Sequence, residues 1–99
     1  MQAELYELRG QIFEWDENKN QINIEKHGVS FECAVTVFSD PNRLTLVDEK
    51  HSDEESRYFC IGKTDSGILT VRFVIRDDKI RIIGAGYWRK GKTRYEKRS

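Results

Sequence analysis

The 99-residue sequence predicts a two-layer α+β domain in the order β-α-α-β-β-β-β, followed by a short terminal helix. Three observations carry this expectation. Two consecutive helical segments near the N-terminus each have a capping residue in front of them. After Pro41 the hydrophobic period changes from 3.6 to 2. Short polar turns then separate the later strands, which favours an antiparallel meander with both helices packed on one of its faces.

Residues 1–10 show weak periodicity and read as an N-terminal extension, leaving residues 11–99 as a single domain. Ile12, Phe13 and Trp15 form a short β-prone run, the first strand. Asp16 is a suitable N-cap, Glu17 favours the dipole of the first helical turn, and Gly28 terminates the helix after His27. Ile22 and Ile24 are its main apolar contributions. Lys19, Asn23, Lys26 and His27 share one side at helical spacing, and Trp15 is placed to pack over that side.

Ser30 is the next N-cap, with Val29 and Ala34 spaced as a hydrophobic staple. Phe31, Ala34, Val35 and Phe38 recur as a core-facing stripe, and this helix ends near Pro41. Residues 43–49 read as a strand with Leu44 and Leu46 facing one way, and residues 50–56 as a polar loop. Residues 57–63 read as a strand apolar on both faces. Over residues 68–76, Leu69, Val71, Phe73 and Ile75 face the core while Thr70, Arg72 and Arg76 face away. Residues 80–86 follow, with Ile80 and Ile82 inward and Arg81 outward. The segment from Tyr87 to Ser99 is basic with interleaved aromatics.

Composition narrows the function classes. No apolar run is long enough to span a membrane and the start lacks a signal-peptide pattern, so a cytoplasmic protein is expected. Cys33 and Cys60 sit among apolar neighbours, as buried small residues do in a reducing compartment. Two cysteines and two histidines without close ligand spacing form no zinc signature. Net charge is zero but unevenly distributed: 13 Asp/Glu face 5 Lys/Arg up to Ser56, and 4 face 12 from Arg57 onward. An anion-binding face in the second half is one reading, and mutual neutralisation across the folded surface is the other. Outward Arg72 and Arg81, with Arg57 alongside, favour the first.

Together the F-E-W-D-x-x-K, K-H-G-V-S-F-E, H-S-x-E-E-x-R-Y-x-x-I-G and R-I-I-x-A segments resemble the BrnT toxin family over residues 12 to about 96. The resemblance implies a RelE-like fold and a metal-independent endoribonuclease of a type II toxin–antitoxin pair, with no cofactor. It implies a BrnA-like ribbon-helix-helix antitoxin as partner, a homodimer or a heterotetramer with that antitoxin, and repression of the operon through operator DNA bound by the antitoxin. Trp15, Lys19, His27, Glu55, Arg57 and Arg81 occupy family motif positions. Where members often read R-I-I-S-A-R, this chain has Gly84 and Gly86, so Arg72 or Arg89 is left to replace the second arginine, the alternative being weaker activity or another substrate.

Metal-free RNA cleavage needs a base for the 2′-hydroxyl, cations for the phosphorane and an acid for the leaving oxygen. Arg57, Arg72 and Arg81 suit the phosphate, His27 or Glu55 the protons, and Trp15 or Trp88 a stacked base. Lys19, Arg89 and Tyr95 are further candidates for substrate contact. Plain alternatives stand beside these: His27 closing a helix, Glu55 pairing with Arg57, Trp15 in the core, and the tail as a solvated terminus or an antitoxin-docking surface. A non-catalytic RNA- or protein-binding module, or an operon co-repressor, is the competing function.

Overall fold

A computed structural model describes residues 3–52 and 54–98. Six strands form one sheet in the spatial order β1-β2-β6-β5-β4-β3. In chain order these are β1 (Ala3–Leu8), β2 (Gln11–Asp16), α1 (Glu17–His27), α2 (Phe31–Thr36), β3 (Leu44–Val47), β4 (Arg57–Thr64), β5 (Gly67–Arg76), β6 (Lys79–Gly86) and α3 (Arg89–Lys97). Single 3₁₀ turns, Val37–Ser39 and Glu49–His51, follow α2 and β3. The mixed α+β fold and its strand order match the expected RelE-like topology. No helix among the described residues is long and apolar enough to cross a membrane.

Two features depart from the expected order. The segment read as an extension holds an edge strand: β1 pairs antiparallel with β2 along its whole length. Arg9 and Gly10 make this hairpin possible by taking positive φ (52° and 85°), the requirement of a tight two-residue turn. The sheet is also not wholly antiparallel. β2 runs parallel to β6, through Phe13↔Ile80 and Glu14↔Arg81. That pairing places the first-helix entrance beside the last strand.

Helices α1 and α2 cover the face bearing Phe13, Trp15, Cys60, Leu69, Val71, Phe73 and Ile82, and these side chains form the core with Phe31, Ala34 and Val35. Ile75 shares that face by alternation but is 51% exposed, because neither helix reaches the end of β5. The expectation that it lies in the core is corrected accordingly. The caps are as expected. Asp16 accepts from the Asn18 N–H (2.8 Å), Ser30 from the Cys33 N–H (3.1 Å), and Gly28 ends α1 in the left-handed region.

The docking of α1 is not as expected. Ile22 is 51% exposed and Ile24 36%, while the buried residues of the helix are Asn20 and Asn23. The Asn23 amide donates to the carbonyls of Ala85 (2.9 Å) and Val29 (3.0 Å) and accepts from the Ala85 N–H (3.2 Å). Asn20 accepts from the Phe31 N–H at 2.8 Å. Beyond Arg81, β6 has lost β2 as a neighbour. Asn23 therefore supplies the hydrogen bonds a paired strand would have made, as buried backbone groups require.

Helix α3 packs on the opposite face, over Thr70 and Ile61. A Cβ at Gly91 would overlap Thr70 Oγ1, so glycine allows this close approach. The Tyr95 hydroxyl donates to Asp40 Oδ2 (2.6 Å), fixing the far end of the helix to the loop after α2.

Candidate functional site

On the face opposite α1 and α2, α3 covers only one end. The other end carries outward side chains of three adjacent strands: Arg57 from β4, Arg72 and Arg76 from β5, and Arg81 from β6. Strand alternation and register explain the convergence, since Arg57 pairs with Val74 and Arg81 pairs with Val74 from the other side. These arginines line a depression of about 520 Å³ together with Glu55, Asp16 and Lys19. A β-bulge lies beneath it. Arg72 pairs with Gly84 and Phe73 with Ile82, so Ile83 is the extra residue, in the local distortion that commonly re-aims side chains beside active sites.

The four cations are not equivalent. Arg76 is held by Glu55 in a two-point contact, Nε to Oε2 at 2.7 Å and Nη2 to Oε1 at 2.9 Å. The Arg76 hydrogen bond holds the Glu55 carboxyl below its ordinary range, against desolvation, with the charges of Arg76, Arg57 and Arg81 adding to it. Glu55 thus remains an anion and a hydrogen-bond acceptor. It pairs with Arg76, not with Arg57 two residues on. Arg81 reaches Glu14 at 3.5 Å, a contact that follows from the parallel β2–β6 register. Arg57 and Arg72 make no ion pair among the described residues. Two half-buried guanidinium groups thus remain available to an anion, flanked by two that are partly neutralised.

The remaining candidates separate into those beside this cluster and those elsewhere. Lys19, on the first turns of α1, lines its rim. His27 lies eight residues further along the helix, about 12 Å by helical rise, and is not among the lining residues. Its ring meets Trp88 edge-on, with centroids 5.4 Å apart. Trp15 is 1% exposed, packs edge-on against Phe31 and donates its Nε1–H to Glu17 (3.4 Å). It offers no face to a base, and its place is in the core. Trp88 is half-buried at the start of α3 and, like His27, is not among the residues lining the depression. Arg89 is exposed beside it, whereas the Tyr95 hydroxyl is occupied by Asp40.

The two glycines of the R-I-I-G-A-G segment have separate uses. Gly84 faces Arg72, and a Cβ there would meet the Arg72 Cδ and Nη1 at 3.7–3.8 Å, ordinary contact distances. Gly86 lies directly under Trp88, where a Cβ would come within 2.7 Å of the indole. Glycine is therefore required at 86 for the tryptophan to lie flat on β6, and merely leaves space at 84.

Sequence reasoning missed Arg76, Glu14 and Asp16 as members of this cluster. Alternation already turned Arg76 outward beside Arg72, and that signal was sufficient to include it. Glu14 was not accessible in that way, because its position depends on a parallel pairing between distant strands.

A family model described as "Ribonuclease toxin, BrnT, of type II toxin-antitoxin system" matches residues 15–91, which include every arginine of the cluster. No curated protein matches the chain.

Proposed function

The chain belongs to the BrnT family, ribonuclease toxins of type II toxin–antitoxin systems, and we propose that its arginine-bearing sheet face is where RNA is bound and cut. A toxin of this type acts on RNA and is paired with an antitoxin. The observation that carries the site is the convergence of Arg57, Arg72 and Arg81 on one exposed depression, with Arg57 and Arg72 unneutralised among the described residues. Their forks match the scissile phosphate, and their charge opposes the extra negative charge of the phosphorane. Trp88, seated on Gly86, provides a stacking surface for a base, and Lys19 adds a cation at the rim.

The reaction is metal-independent attack of a 2′-hydroxyl on the adjacent phosphate, leaving a 2′,3′-cyclic phosphate and a 5′-hydroxyl end. In the cell it acts in the cytoplasm and inhibits translation, and a BrnA-like ribbon-helix-helix antitoxin neutralises it and carries the complex to operator DNA. Purified protein, freed of antitoxin and incubated with RNA in excess EDTA, tests this reading. Fragments with cyclic-phosphate ends are expected. RNA that is retained by the protein but left intact, free or on ribosomes, would favour a non-catalytic binding module instead.

A further inference from the structure

The arginine face stabilises charge, and each carboxylate on or beside it already holds a hydrogen bond or ion pair among the described residues. Glu55 is bound to Arg76, Glu14 meets Arg81, Asp16 caps α1, and His27 lies against Trp88. The second histidine is placed differently. His51 Nδ1 lies 2.9 Å from Asp48 Oδ2, in the 3₁₀ turn after β3. The carboxylate side chain is buried (6% exposed) while the imidazole is 55% exposed. Such a pair is the reverse of an ordinary surface bridge, where both partners are wet and mobile.

Backbone contacts tie this pair to the arginine cluster. The Asp48 N–H donates to the Arg57 carbonyl (2.7 Å). Ser52 Oγ donates to the Asp48 carbonyl (2.7 Å) and accepts from the Arg57 N–H (2.9 Å). Leu46 pairs with Phe59, on the same sheet face as Arg57, and Asp48 lies two residues beyond Leu46. The backbone of Asp48 therefore lies beside that of Arg57, next to the depression, although neither Asp48 nor His51 lines the depression itself.

We propose that His51, oriented by Asp48, is the proton-accepting catalytic residue of the cleavage site. This rests on the arginine face being where RNA is cut. An imidazole donating its Nδ1 proton to a carboxylate presents an unprotonated Nε2, the tautomer a general base needs. Nε2 takes the proton of the 2′-hydroxyl as O2′ bonds to phosphorus. The P–O5′ bond breaks, the leaving oxygen takes a proton from water, and the imidazolium returns its own to the solvent. Among the described residues, Asp48 contacts His51, Glu49 and Lys50 share its turn, and Arg57 lies on the strand whose backbone meets that of Asp48. Asp48 is a positioning residue.

The test compares His51→Ala, His51→Gln, Asp48→Asn and Arg57→Ala in single-turnover cleavage of one RNA, with and without added imidazole. Both His51 variants are expected to lose about 100-fold or more in rate with RNA affinity little changed. Imidazole is expected to restore part of the rate in His51→Ala but not in Arg57→Ala. Asp48→Asn is expected to lower the rate constant without weakening RNA binding. Cleavage by His51→Ala within a few-fold of the parent, beside loss in Arg57→Ala, would remove the dyad and leave the arginine site standing. Loss in His51→Ala without any imidazole response would also count against a base role.

Discussion

Gly86 and Asn23 are two residues whose small or polar side chains are decisive for the local structure. Gly86 is the seat of Trp88, and Gly84 only leaves room for Arg72. Alanine at the two positions should therefore separate. Gly86→Ala is expected to displace the indole, lowering RNA affinity and shifting tryptophan fluorescence, while Gly84→Ala stays near parental values in both. Equal behaviour of the two variants would show that the tryptophan is not held by this contact. Asn23 makes three buried hydrogen bonds to main-chain groups of Val29 and Ala85. Asn23→Ala leaves those groups unpaired and should cost roughly 2–4 kcal/mol, read by denaturant unfolding.

Among the elements, α3 is tied at its far end by one side-chain hydrogen bond. It is short and basic, and its only buried residue is Gly91. Its far end is held by Tyr95 on Asp40. Burial raises the Asp40 pKa, but hydrogen bonds from Tyr95 and from the N–H groups of Lys63 and Asn42 outweigh it and leave the group below its usual value of 3.8. A depressed carboxylate stabilises the fold above its unfolded pKa and ceases to do so as pH falls through the folded one. Tyr95→Phe is accordingly expected to cost about 1 kcal/mol near neutral pH, with the deficit shrinking below about pH 4. A deficit that stays constant through that range would mean the hydroxyl acts through packing alone.

Element order was largely legible because α1 and α2 begin at residues suited to capping and β5 alternates along most of its length. Asp16, Ser30 and Gly28 do what their side chains or lack of one dictate. What local pattern could not convey was long-range. Ala3–Leu8 becomes a strand only because β2 offers it an edge, and β2 meets β6 in parallel only after two helices have returned the chain across the sheet. Ile22 and Ile24 misled for a related reason: the open edge of β6 needs hydrogen bonds, so α1 turns its asparagines inward and its isoleucines out.

At the scale of the whole molecule, the charge division along the sequence is bridged in space. The basic second half contributes Arg57, Arg72, Arg76 and Arg81, while the acidic first half supplies Glu14 and Glu55 to hold two of them. That arrangement was half legible. The outward arginines follow from alternation, but which were neutralised depended on partners 21 and 67 residues away in sequence. The basic tail carries comparable charge without such convergence, being an exposed helix of Lys and Arg. Both surfaces would attract RNA, and in the proposed site it is the sheet face that stabilises the phosphorane.

The measurement that separates them is kcat/KM for RNA cleavage in EDTA by Arg57→Ala, Arg72→Ala and Arg81→Ala, beside Lys92→Ala and Lys97→Ala in the tail. The expected result is a loss of about 100-fold or more in the sheet variants, the scale of removing one transition-state donor. The tail variants should fall only a few-fold, and less at high salt. Sheet variants that cleave at the parental rate while the tail variants fail would contradict the assignment of the site to this face.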